Sequence, residues 1–136
     1  MRRNGIAPYL AFWFVLLVLA VGNGIAREAT YGRVLSELAA HQVSTGTAIV
    51  LVTLAVWAFS RLRPFASARQ AWAVGVAWLL ATVAFEFLFG RYVVGHPWSA
   101  LVADYNLAAG RTWPLFLAWL TVLPALLFRL RGRGGD

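Results

Sequence analysis

Residues 70–90 read QAWAVGVAWLLATVAFEFLFG, a run in which Glu86 is the single charge. About 20 mostly apolar residues make a helix long enough to cross the hydrocarbon of a bilayer. There every backbone N–H and C=O must find its partner inside the segment, so a spanning run of this kind is helical. Three further stretches share its character. Residues 5–26 carry no charge, and residues 40–60 have His41 as their only ionisable group. Residues 112–130 open on Thr112-Trp113-Pro114, which reads as an N-cap hydroxyl followed by proline in the first turn, where no backbone donor is lost. Four such spans use most of the 136 residues. The expectation is one domain, residues 1–136, folded as an all-α four-helix transmembrane bundle.

Composition supports the same reading. Charged residues make up 12% and hydrophobic residues 61% of the chain; soluble domains carry about 25% charged residues, and half that share cannot cover so small a globule. The absence of cysteine excludes a disulfide framework, a thiolate metal site and a cysteine nucleophile. All 12 basic residues are arginine, too scattered to form a nucleic-acid surface. No phosphate-binding glycine loop, H-E-x-x-H, G-x-S-x-G or dinucleotide fingerprint is present, so nothing marks an enzyme.

Arginine placement gives an expected orientation. Arg2 and Arg3, then Arg61, Arg63 and Arg69, then Arg129, Arg131 and Arg133 fall on one side, opposed by Asp136 alone. Arg27, Arg33, Arg91 and Arg111 fall on the other, accompanied by Glu28, Glu37, Glu86 and Asp104. Cytoplasmic loops carry the arginine excess, which predicts both termini in the cytoplasm and a multi-pass protein of the cytoplasmic (inner) membrane, with the bilayer as its first partner. Self-association or a place in a larger membrane complex fits the same surface. An alternative treats Met1-Arg2-Arg3, Leu10–Ala20 and Gly24-Ile25-Ala26 as a signal peptide and its cleavage site, although the apolar run is long for one.

The polar chemistry gathers at the outer end. In the first outer connection Tyr31, Val34, Leu35 and Leu38 form a helical apolar stripe, with Arg33, Glu37 and His41 at i+4 steps on another face. In the second, Trp98, Leu101, Val102 and Tyr105 repeat the stripe between Pro97 and Gly110. Two short amphipathic helices in the outer interface are expected. The two patterns coincide at an offset of 67 residues, which suggests two span–helix–span units built as parallel repeats.

Ten residues are candidates for a ligand or ion site. Glu86 lies in the outer part of its span among Phe85, Phe87 and Phe89. An ionisable group within a span is a functional candidate by default, acting either as a proton- or cation-responsive carboxylate or in an ion pair with Arg91, Arg111 or Arg27. Those arginines could bind a carboxylate or phosphate bidentately. Around them stand His96, Asp104, Tyr105, Asn106, Glu28 and His41. His41 and His96 could ligate haem or a metal, but no ligand-spacing motif accompanies them, so no cofactor is expected. Asn23, Thr45, Thr47 and Thr53 read as interhelical hydrogen-bonding groups, and Ala71 with Gly75 as a small-xxx-small contact. Pro124 predicts a kink. Trp57, Trp72 and Trp113 suit the interfacial belts, whereas Trp13, Trp78 and Trp119 lie deeper.

From Glu86-Phe87-Leu88-Phe89-Gly90-Arg91-Tyr92-Val93-Val94-Gly95-His96, through Ala103-Asp104-Tyr105-Asn106, to Gly110-Arg111-Thr112-Trp113, together with Gly22–Glu28 and Ala40-His41, the chain resembles a group of small bacterial four-span integral membrane proteins. The resemblance covers most of the chain. That group has no assigned activity, so the resemblance implies a bacterial inner membrane and transfers no residue role. A small multidrug exporter would carry an essential glutamate in its first span, where this chain has no acid, and the motifs of fluoride channels are missing. The functional expectation is a non-enzymatic binding or accessory protein with an outward-facing polar site at the helix ends. The alternatives are a small oligomeric transporter or channel using Glu86, and a haem, quinone or metal protein using His41 and His96.

Overall fold

The computed structural model describes residues 5–103 and 105–134. All regular structure among them is helical: α1 (Ala7–Ala29), α2 (Glu37–Leu62), α3 (Ala68–Phe89), α4 (Trp98–Ala103) and α5 (Trp113–Gly134). Four helices are long and apolar enough to cross a membrane: α1, α2, α3 with the turn that continues it to Val94, and α5 to Arg131. The chain is an all-α four-helix bundle with the character of a multi-pass membrane protein.

Capping explains where two spans begin. The Ser36 hydroxyl accepts from the Ala39 N–H at 3.1 Å, so α2 starts at Glu37, ahead of the apolar run. The Ser67 hydroxyl does the same for the Gln70 N–H at 3.1 Å. Both satisfy a backbone donor that helix geometry leaves orphaned. α1 opens on Pro8 in its first turn. α5 departs from expectation: the Thr112 carbonyl accepts from Leu115 and Phe116, but among the described residues the buried Thr112 hydroxyl has no hydrogen-bond partner. Thr112 is therefore not the side-chain cap its position suggested.

The outer connections differ from one another. The second forms α4 and a 3-10 turn at Leu107–Ala109. The first holds only a 3-10 turn at Tyr31–Arg33; of its apolar stripe only Leu38 belongs to α2, while Val34 and Leu35 lie in the link between them. Arg33 thus precedes the α2 helix and does not stand in an i+4 ladder with Glu37 and His41.

Around the bundle the order is α1, α2, α5, α3, and neither diagonal pair, α1 with α5 or α2 with α3, packs closely. A twofold axis along the bundle would exchange helices across those diagonals. Parallel repeats would need it to exchange α1 with α3 and α2 with α5, which are neighbours here. The match at 67 residues is therefore a similarity of loops, without a twofold arrangement of halves.

Each neighbouring pair has its own fastening. The Trp13 indole donates to Thr82 Oγ1 at 3.0 Å and the fully buried Trp78 to the Tyr9 carbonyl at 2.9 Å, joining α1 to α3. Trp119 donates to Thr53 Oγ1 at 2.8 Å, joining α5 to α2. Asn23 donates to the Ser44 carbonyl and hydroxyl, both at 2.9 Å, and accepts from Thr47 at 2.7 Å, joining α1 to α2. Thr45, expected to bond between helices, instead donates to the His41 carbonyl of its own helix at 2.9 Å. α3 and α5 meet backbone to backbone, because a Cβ on Gly75 would land on the Thr121 carbonyl oxygen. Pro124 lies within α5 and is fully buried.

The end holding the α2–α3 link is filled along the bundle axis, with an apolar groove of about 380 Å³ between α3 and α5 beside it. Tyr9 stacks on Phe65 with centroids 4.9 Å apart, and its hydroxyl donates to the Arg63 and Pro64 carbonyls. Gln70 donates to the Gly5 carbonyl at 3.0 Å and accepts from the Ala66 N–H at 2.7 Å. Above this plug Val52, Val56, Val74, Trp78, Leu120 and Leu123 fill the middle of the bundle.

Gly75→Ala separates close approach from helix propensity. The added methyl meets backbone that cannot rotate away, so the variant should lose about 1–3 kcal/mol of stability. At Gly46 a Cβ meets nothing within 4 Å. Gly46→Ala should be neutral or gain up to about 1 kcal/mol. Thermal unfolding of both variants in one detergent checks the contrast.

Candidate functional site

At the opposite end the helices enclose a cavity of about 410 Å³. The chain leaves α3 through a π-helical turn at Gly90–Val94, and Gly95 then takes a left-handed conformation at φ 89°. The His96 N–H donates to the Gly90 carbonyl at 2.8 Å, closing this reversal. π turns widen a helix locally and often mark functional sites. Here the reversal brings α4 over the end of α3. Leu101 sits so close to Gly90 that a Cβ there would come within 2.6 Å of its side chain.

Six of the expected site residues line this one cavity: Arg27, His41, Glu86, His96, Tyr105 and Arg111. Glu86, on the last turn of α3, accepts a short hydrogen bond from the Tyr105 hydroxyl. Phe87 stacks on Tyr105 at 5.5 Å and on Trp98 at 6.3 Å, fixing the ring that reaches Glu86. Arg111 grips Glu37 with two N–H groups at 2.9 Å each, and the His41 imidazole lies 3.8 Å from the same carboxylate. Arg27 pairs with Glu28 at 3.2 Å and donates to the Ser44 hydroxyl at 3.1 Å. Phe85, Phe89, Leu101 and Trp113 supply apolar wall.

The other candidates stand apart. Asn106 is a cap: its side-chain oxygen accepts from the Ala109 N–H at 3.3 Å at the 3-10 turn. Glu28 is exposed and reaches the cavity only through Arg27. Arg91 lies over the rings of Tyr92 and Trp98, 6.0 and 5.8 Å from their centroids, with its Nε buried and, among the described residues, without a hydrogen-bond partner. Asp104 lies outside the described residues.

The candidate set drawn from the sequence leaves out Ser44, Glu37 and Thr112. Ser44 follows His41 by three residues, on the face of α2 that buries Ala40, Ser44, Thr45 and Ala48. That spacing was the available signal. Glu37 pairs with Arg111, one of the outer arginines it accompanies in the charge pattern, 74 residues away. Among the described residues no three His, Cys, Asp or Glu side chains are grouped to hold a metal ion. No family model matches the chain, and no curated protein or solved structure matches it.

Ser44 makes the site and the α1–α2 seam interdependent. Ser44→Ala leaves Arg27 Nη1 without this acceptor and takes from Asn23 Nδ2 one of its two acceptors. A buried group stripped of a partner costs about 1–3 kcal/mol. The variant should unfold at lower temperature than wild type. Glu37→Gln, at a pair whose acid is 63% exposed, should shift it far less, since exposed ion pairs are worth about 0–1 kcal/mol. Parallel thermal melts check the order.

Proposed function

We propose that this chain is a multi-pass protein of a bacterial cytoplasmic membrane, with both termini in the cytoplasm, that binds a small polar-headed amphiphile at the outer end of its bundle without transforming it. The observation that carries the reading is the cavity itself, where Glu86, His41, His96, Arg27 and Arg111 converge within aromatic walls. Concave, mostly apolar pockets with a few convergent polar groups are the usual form of a small-molecule site.

The arginine excess at the α2–α3 link and the chain termini supports the orientation. The cavity would then face outward. The packed middle of the bundle favours binding over passage. Trp78 and Val56 are fully buried there, and no polar residue among those lining the cavity comes from below Thr45 on α2. The transporter reading keeps Glu86 but lacks a polar route beneath it.

Orientation is directly testable because the chain has no cysteine. Val34→Cys, at a position 85% exposed, should react with a membrane-impermeant maleimide in intact cells, and Leu62→Cys, 86% exposed, only after lysis. The opposite pattern overturns the orientation. For binding, wild-type protein in lipid nanodiscs would be melted with three decyl-tailed probes: a benzoquinone, a phosphate and a trimethylammonium. At least one should raise Tm, and Glu86→Gln with Arg111→Ala should abolish that rise. If none of the three moves Tm, the binding reading fails.

A further inference from the structure

The chemistry of the cavity wall narrows the head it can take. We infer that the preferred occupant is an uncharged amphiphile with a flat, carbonyl-bearing ring head, the chemistry of a membrane quinone. This inference rests on the binding reading above.

The first support is charge. The two guanidiniums that line the cavity are matched to carboxylates: Arg111 to Glu37 through two N–H groups, and Arg27 to Glu28. Glu86 in turn accepts the Tyr105 hydroxyl. An anionic head would have to compete with Glu37 for Arg111, and a cationic head with two guanidiniums nearby. A desolvated charge that lacks its own partner is costly. A neutral head keeps all three interactions intact.

The second support is shape and surface. Phe85, Phe87 and Trp113 are among the residues of the wall, and rings favour offset-stacked or edge-to-face contact with other rings. The volume of about 410 Å³ falls at the small end of ligand pockets, about 300–1,000 Å³. It suits a head group whose tail continues into the bilayer.

The third support is hydrogen bonding. A quinone head offers two carbonyl acceptors and needs donors. Thr112 is one of the lining residues, and its hydroxyl is buried in that wall with no partner among the described residues. His96 lines the same cavity, and a neutral imidazole carries one N–H donor. A buried hydroxyl left unsatisfied is destabilising, and a carbonyl head would satisfy it.

The test titrates the decyl-tailed benzoquinone into wild-type protein in nanodiscs and follows tryptophan fluorescence, since Trp113 forms part of the wall. The expected result is saturable quenching. Thr112→Val, checked to melt near wild type, should weaken it about three- to tenfold, the equivalent of one hydrogen bond. His96→Ala should weaken it similarly. The decyl phosphate and decyl trimethylammonium should not displace the quinone. Quenching that only rises linearly, as simple partitioning gives, overturns the inference. So does displacement by either charged probe, or a Tm rise with a charged probe and none with the quinone. In those last cases the binding reading survives. If none of the three probes changes Tm or fluorescence beyond linear partitioning, both fall together.

Discussion

A polar group inside hydrocarbon has no water to fall back on, and this bundle is organised by that constraint. The backbone answers it by forming helices. The side chains answer it by reaching across: Trp13, Trp78 and Trp119 each send their indole N–H to a neighbouring helix. Asn23, Ser44 and Thr47 close a small network between α1 and α2. Hydrophobic burial cannot hold spans together when the lipid is as apolar as the core, so close packing and such bonds set the arrangement. Gly75 against the Thr121 carbonyl is the packing half of that logic, and the tryptophans are the polar half.

The two ends of the molecule resolve the constraint differently. Where the α2–α3 link turns, Tyr9, Phe65 and Gln70 fill and satisfy the interior with the chain's own atoms. At the other end the π turn and Gly95 carry the chain outward and back, so that α4 roofs the bundle instead of plugging it. A buried hydroxyl, two imidazoles and a carboxylate then share a space that protein atoms do not fill. The asymmetry between an end filled along the bundle axis, with only an apolar groove beside it, and an end with a polar hollow is the basis for placing the proposed function at the latter.

Much of this was legible beforehand, for identifiable reasons. Hydropathy over about 20 residues is a strong signal, and all four spans appear where it places them. Glu86 stood out because a lone acid in an apolar run is conspicuous, and most of its cavity neighbours were found because they flank spans on the same side. What could not be read was pairing across the chain. Glu37 has a histidine four residues on and several outer arginines to choose from, and nothing local says that its bidentate partner is Arg111, just before α5. Thr112 sits in a capping pattern, yet its hydroxyl is buried and makes no cap bond; the pattern is the same in sequence whichever way the hydroxyl points. Asn106 carried the opposite error, a polar side chain taken for a ligand group that caps a turn. The order of helices around the bundle leaves no local trace at all, which is why the match between the two outer connections suggested a symmetry that the packing does not have.

That order has a consequence for biogenesis. α2 and α3 are consecutive in the chain but stand on a diagonal, and α3 has its most extensive contact with α5. A nascent chain with three helices inserted therefore holds one finished hairpin, α1 with α2, and a third helix whose main partner has not yet been made. Gly75 then faces lipid, and Glu86 has no Trp113 or Arg111 beside it. Arrival of the final helix completes the wall of the cavity and the ion pair with Glu37 in a single event. Completion of the cavity and completion of the fold thus coincide.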